Sequence, residues 1–243
     1  MTNSPDLTAS ASTAVGEIYA DGTYLAHNET WHETESPWKA KQIIKLLNRN
    51  NLTPSRFCEV GCGAGEILKQ LSDVYTSADF VGYEVSPQAF ERCKTKAAPR
   101  LHYYLRSIFD EADVYDCLLC IDVFEHVEDY MGFVKALKNK ATYKVFHIPL
   151  DISVLSVLRS SMITSRRRMI GHLHYFTRET AMATLKDCGY EVLDYFYTTT
   201  FFGLPSRTWK AKLARLPRQL LFGISQGLED KLLGGCSLMV LAK

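Results

Sequence analysis

An apolar run that ends in an acid and turns through three alternate glycines constrains this chain more than any other stretch. It reads Phe57-Cys58-Glu59-Val60-Gly61-Cys62-Gly63-Ala64-Gly65-Glu66. Glycine is needed where the backbone enters the left-handed region or lies against a ligand, because a Cβ there would clash. A helix-like segment with Ile67, Leu68 and Leu71 follows at once. Strand, glycine turn and helix in direct succession make a nucleotide-type binding corner on an α/β sheet. Dinucleotide sites use G-x-G-x-x-G, which sets a helix N-terminus on a pyrophosphate. The spacing here is G-x-G-x-G and lacks that frame.

The rest of the chain repeats the strand–helix alternation. Strand-like runs lie at 56–60, 79–85, 101–105, 115–121 and 143–148, with helix-like segments at 65–72, 87–95 and 130–138. A helix over 36–48 precedes them, with Ser36 as its expected N-cap, Pro37 in its first turn, and Trp38, Ile43, Leu46 and Leu47 on one side. Such alternation predicts a parallel sheet with helices on both faces. The near-continuous apolar run Tyr115 to Ile121 is what a strand covered on both faces requires. Beyond the fifth strand the pattern changes. Residues 151–175 read as an irregular insertion containing Arg166-Arg167-Arg168, and 177–188 as a helix capped by Thr177 and stopped by Gly189. Strands are expected at 191–197 and 236–242, flanking a basic, aromatic excursion over 201–226.

A length of 243 residues suits one α/β domain with a modest cap, and 47% apolar residues suffice for a real core. A net charge of +1 gives no global attraction to nucleic acid. No apolar run approaches the roughly 18 residues of a membrane span. The polar start of the chain lacks the pattern of a secretory signal and reads as a mobile tail. The seven cysteines are odd in number and several fall in strand-like runs, which points to reduced thiols in the cytoplasm. Cys117 and Cys120 form a C-x-x-C inside a strand pattern, and burial is the expected role.

Glu59-x-Gly61-x-Gly63-x-Gly65 resembles motif I of the class I S-adenosylmethionine (SAM)-dependent methyltransferases. That resemblance implies a Rossmann-like, doubly wound, seven-stranded and mostly parallel sheet with an antiparallel C-terminal hairpin. It implies SAM as cofactor, held at Glu59, Gly61, Cys62, Gly63 and Gly65. Glu84, at the end of the second strand and next to Val85, would accept hydrogen bonds from the ribose hydroxyls. Ser107 and the Ile108 backbone would meet the adenine, with Asp110 as the rival acceptor. Asp122 and Val123 would border the methionine end. Residues 1–30 would be a tail and the start of a cofactor lid, with Tyr24 and Trp31 folded over the site to exclude water. The methyltransferase domain would occupy 31–243, with substrate-capping insertions at about 151–175 and 201–230.

The acceptor side is expected from two further clusters. Asp122-Val123-Phe124-Glu125-His126-Val127 resembles the D-x-x-E-H-[VI] loop of small-molecule members. Gly171-His172-Leu173-His174-Tyr175-Phe176-Thr177 is similar to a G-H-x-x-x-[FY]-[ST] segment of quinone-biosynthesis methyltransferase relatives. An alcohol or phenol acceptor needs a base, and His126, His174 and His147 are the candidates. His172 and His174 share a direction only in an extended segment; no third ligand is evident, and no metal is expected. The basic, amphipathic stretch 209–222 would either pack as a helix or contact a membrane surface. A small, partly hydrophobic acceptor is expected, such as a secondary-metabolite or cell-envelope intermediate. The rival readings are a non-catalytic SAM-binding regulator and a nicotinamide-dependent oxidoreductase.

Overall fold

A computed structural model of the chain describes residues 33–199 and 218–243. The elements run α1 (Ser36–Arg49), β1 (Arg56–Val60), α2 (Glu66–Val74), β2 (Asp79–Glu84), α3 (Pro87–Cys93), β3 (Leu101–Leu105), β4 (Tyr115–Ile121), α4 (Tyr130–Leu137) and β5 (Ala141–Pro149). They continue through α5 (Val154–Leu158), α6 (Ser161–Ile170), α7 (Arg178–Asp187), β6 (Val192–Thr198), α8 (Gln226–Leu233) and β7 (Ser237–Ala242). The strands form one sheet in the order β3-β2-β1-β4-β5-β7-β6. β1 to β5 are mutually parallel, whereas β7 pairs antiparallel with both β5 and β6. This is the seven-stranded Rossmann-like sheet with its C-terminal hairpin.

Side chains alternate across a strand, and two cores follow from that alternation. Along β4, Cys117, Leu119 and Ile121 join one core and Leu118 and Cys120 the other. The first core is closed by Ile43, Leu46 and Leu47 of α1 and Leu68 and Leu71 of α2; the second by Val134 and Leu137 of α4 and Ala181 and Leu185 of α7. Cys117 and Cys120 therefore face opposite sides of the sheet and cannot pair. All seven cysteines are free and buried. Among the described residues no helix is long and apolar enough to cross a membrane.

Three local expectations need correction. Residues 151–175 are not irregular, since α5 and α6 occupy most of them. Ser153 and Ser156 form a capping box that starts α5, a signal the sequence carried in plain view. Ser36 is the first helical residue of α1 rather than its cap, because the backbone turns helical one residue earlier, at Glu35. The last strand begins at Ser237 rather than Cys236. Thr177 does cap α7, accepting the Thr180 N–H.

Candidate active site

The C-terminal ends of the parallel strands gather two sets of groups. The first surrounds the glycine turn. Gly63 has a φ of +54°, and a Cβ added to it would meet no atom within 4 Å, so it faces open space. Gly65, with φ +76°, heads α2 so tightly that a Cβ would sit 2.7 Å from both the Tyr103 ring and Cys93. Gly61 packs on Val123, which joins this turn to the loop after β4. Glu84 ends β2 only 5% exposed. Its Oε2 accepts the Gly63 N–H at 2.8 Å, and its Oε1 accepts those of Val85 and Ser86 at 2.8 and 2.7 Å. Burial raises the Glu84 carboxyl above the usual range, and the N–H groups of Ser86, Gly63 and Val85 oppose that. Val85, next to this buried acid, is 70% exposed.

Glu59 is buried with its Oε2 lacking a partner, and burial pushes its carboxyl well up against the pull of Lys39. An orphaned buried carboxylate oxygen, a glycine facing open space and an uncovered valine beside an acid fit a ligand carrying a ribose and a flat base. SAM is such a ligand. Ser107 and Asp110 are both engaged locally: Ser107 Oγ accepts the Phe109 N–H and Asp110 accepts the Ser107 N–H. The turn into residues 108–110 uses both as caps. Ile108 is buried. Tyr24 and Trp31 lie outside the described residues.

The second set surrounds the loop after β4. Asp122 has a φ of +54°. A non-glycine residue there carries strain of about 1–3 kcal/mol, which persists only where surrounding contacts impose it. The contacts are present. Lys39 Nζ lies 2.7 Å from Asp122 Oδ2, and His147 Nδ1 donates to Oδ1 at 2.6 Å. Burial alone would raise the Asp122 carboxyl, yet His147 and Lys39 hold it far below its ordinary value. His147 Nε2 is bonded to Thr198 Oγ1 at 2.8 Å, and that hydroxyl donates to the Ser237 carbonyl. Both nitrogens of His147 are committed and the ring is 3% exposed. His147 is therefore corrected from candidate base to the residue that orients Asp122.

His126 sits beside it with Nδ1 at 3.1 Å from the Gly171 carbonyl. His174 places Nε2 at 2.9 and 3.1 Å from the carbonyls of Val127 and Glu128, with its ring 4.3 Å from that of Tyr130. Carbonyls only accept, so each bonded nitrogen bears the proton. The basic nitrogen is then Nε2 on His126 and Nδ1 on His174. The loops of the two histidine clusters are clipped together, since the N–H groups of Leu173 and His174 both donate to the Glu125 carbonyl. His172 turns instead to Asp151, at 2.6 Å, so the two histidines of the H-x-H do not converge.

Lys39, Asp151 and Thr198 escaped the sequence reading. Lys39 alone left a trace: it lies on the apolar stripe of α1 among Ser36, Ala40 and Ile43, where a charge demands a partner. Of the basic stretch 209–222, residues 209–217 lie outside the described residues. Arg218 donates to the carbonyls of Leu233 and Gly234 and closes the end of α8.

Comparison with known proteins agrees with this geometry. The methyltransferase domain family matches residues 31–195. A malonyl-[acyl-carrier protein] O-methyltransferase of Anoxybacillus flavithermus (strain DSM 21510 / WK1) is 28% identical over 76 residues, a match that spans 31% of this chain and 29% of that protein. Among solved structures, magnesium protoporphyrin IX methyltransferase from Synechocystis PCC 6803 with bound S-adenosylhomocysteine (SAH) superposes with a TM-score of 0.64 at 15% identity, covering 93% of this chain and 98% of that one. The plantazolicin methyltransferase BpumL in complex with SAH gives 0.58 at 17% identity, covering 94% and 97%. At such identities the superpositions speak for the fold, and the domain match speaks for descent. The chain belongs to the methyltransferase domain family and carries the class I, SAM-dependent methyltransferase fold.

Proposed function

We propose that this SAM-dependent methyltransferase transfers a methyl group to an oxygen, nitrogen or carbon atom of a small, partly hydrophobic molecule. The observation that carries the acceptor class is an apolar rim above the strand ends. Val154, Val157 and Leu158 of α5 are 52%, 58% and 79% exposed, and α5 packs against α8, where Leu228 is 44% exposed. Exposed apolar side chains in one place mark a binding surface more often than scattered ones do. Relatives that act on malonyl-[acyl-carrier protein], magnesium protoporphyrin IX and plantazolicin support a non-polymeric or carrier-bound acceptor. The net charge of +1 speaks against a nucleic-acid substrate. The free thiols support a reducing compartment such as the cytoplasm.

In this reading Glu84 takes the ribose hydroxyls, Val85 flanks the base, the Ile108 backbone meets it, and Gly61, Cys62, Gly63 and Gly65 give the backbone its close approach. Glu59, Asp122 and Val123 border the methionine end, with Tyr24 and Trp31 as lid residues and Ser107 near the base. When bound, SAM supplies an already activated methyl group, so the chain mainly positions and dries the reacting centre. Lys39 and His147 fix Asp122 in a strained but single conformation. An alcohol or phenol acceptor passes its proton to His126 Nε2 or His174 Nδ1. The glycine spacing and the family match set the nicotinamide reading aside.

The test is methyl transfer from SAM to a panel of phenols, carboxylic acids, amines and carrier-bound acyl groups, read by mass spectrometry. A gain of one methyl mass on a panel member, lost in His174→Asn, supports the reading. Tight SAM binding with no transfer to any class would favour a non-catalytic SAM-binding regulator.

A further inference from the structure

Glu125 is the one group in the second set that the methyl-transfer account leaves unexplained. It is 0% exposed, and neither carboxylate oxygen has a hydrogen-bond partner. A carboxylate taken from water without partners is costly, so something must compensate it. One candidate ligand atom from each of Glu125, His126 and His172 lies within 4.8 Å of the others. The two imidazole rings stand 4.9 Å apart, nearly edge to face. His126 Nε2 is 3.9 Å from Glu125 Oε1.

Both rings are already oriented from behind. His126 gives Nδ1–H to the Gly171 carbonyl, and His172 gives Nδ1–H to Asp151 at 2.6 Å. Asp151 is in turn held by Arg166 at 2.9 Å. Metal-bound histidines almost always donate their other ring N–H to a carbonyl or a carboxylate, which fixes the tautomer and the ring direction. Both rings here carry that arrangement, which leaves the lone pair of each on Nε2.

We propose that Glu125, His126 and His172 form a binding site for a divalent cation of the zinc type. Two imidazole nitrogens and one carboxylate match the ligand set of catalytic zinc, with the fourth position open. Bonds of about 2.0–2.2 Å in a tetrahedron would bring ligand atoms to roughly 3.3–3.6 Å from one another, so modest side-chain rotation closes the site. The sequence reading paired His172 with His174 and found no third ligand; the partners are Glu125 and His126, far earlier in the chain. The further role rests on the proposed methyl transfer. An acceptor hydroxyl on the open position would lose its proton more readily to His174, with the cation acting as a Lewis acid and His126 serving as a ligand rather than a base.

The deciding experiment uses the full chain without SAM, so its outcome is independent of methyltransferase activity. Chelator-treated protein is titrated with Zn²⁺ against a chromophoric competitor, and with Co²⁺ followed by ligand-field absorption. The expected result is one tight equivalent and a tetrahedral-type Co²⁺ spectrum. Both should be lost in His172→Ala and weakened about 10- to 100-fold in Asp151→Asn, which alters only the carboxylate that holds the His172 ring. Far-UV circular dichroism verifies each fold; if His172→Ala does not fold, Asp151→Asn and the wild-type titration still decide. Absence of stoichiometric binding by the wild type, or equal binding in wild type and Asp151→Asn, overturns the proposal and leaves Glu125 as a carboxylic acid kept neutral by burial.

Discussion

The two halves of the cleft are built in opposite ways. The glycine-turn half is local: residues 59–65 supply their own turn, and Glu84 reaches back from the next strand to hold Gly63 by its N–H. The half around Asp122 is assembled at long range. Lys39 comes from α1, His147 from β5, Thr198 from β6 and Ser237 from β7. A local device needs few residues and tolerates change in its surroundings. A long-range one stakes a strained Asp122 and three buried charged or polar partners on the whole sheet being formed. Substitutions in the second half should therefore cost stability as well as function, and those in the first should act mainly on cofactor affinity.

Lys39→Met should give the largest effect. It leaves Asp122 without one of its two partners, and breaking a buried pair from one side costs about 3–5 kcal/mol. Urea melts should show that loss, whereas a drop below about 1 kcal/mol would mean that the long-range half is not staked on this pair. Next in size is a pH effect. Asp230 on α8 is 2% exposed, and burial, with Glu229 and Glu179 nearby, raises its carboxyl to about 7. A raised acid binds its proton more tightly when folded, so its contribution is present below the unfolded value and lost as pH rises towards 7. Asp230→Asn should gain on the wild type by on the order of 2–3 kcal/mol in urea melts as the pH is raised from 5 to 8. Equal stability at both pH values would show that Asp230 ionises freely.

Gly63→Ala sharpens the contrast from the other side. Its φ of +54° disfavours any Cβ, and the added methyl would project into the space left for the cofactor. SAM affinity should fall about tenfold or more, with about 1–2 kcal/mol lost in stability at the strained φ. Affinity unchanged in that variant would place the ligand elsewhere. The smallest effect belongs to Ser107→Ala, which removes the cap over residues 108–110 and should cost roughly 0.5–2 kcal/mol. SAM affinity should stay within about threefold, since the hydroxyl is spent on the Phe109 N–H.

How much could be read from the sequence follows the same division. The strand–helix alternation, the hairpin of β6 and β7 and the placement of Gly63 in the turn and Glu84 at the end of β2 were legible because each rests on nearby residues or on a fixed period. The Asp122–His147–Thr198 chain was not, because only strand pairing brings Ile121 beside His147 and Thr198 opposite Ser237. Likewise His172 is spaced like a partner of His174, but the segment after β5 brings Asp151 to it and α6 brings Arg166 to Asp151.

Isothermal titration of SAH into the wild type and into Glu84→Gln tests the central claim most directly. The glutamine keeps the shape of the side chain but takes away one acceptor oxygen's charge and replaces the other with a donor. The local half depends on that carboxylate, so SAH affinity should fall at least tenfold while far-UV circular dichroism stays that of the wild type. Equal affinity in the two proteins, with the fold intact, would contradict the assignment of the cofactor to the glycine turn and Glu84.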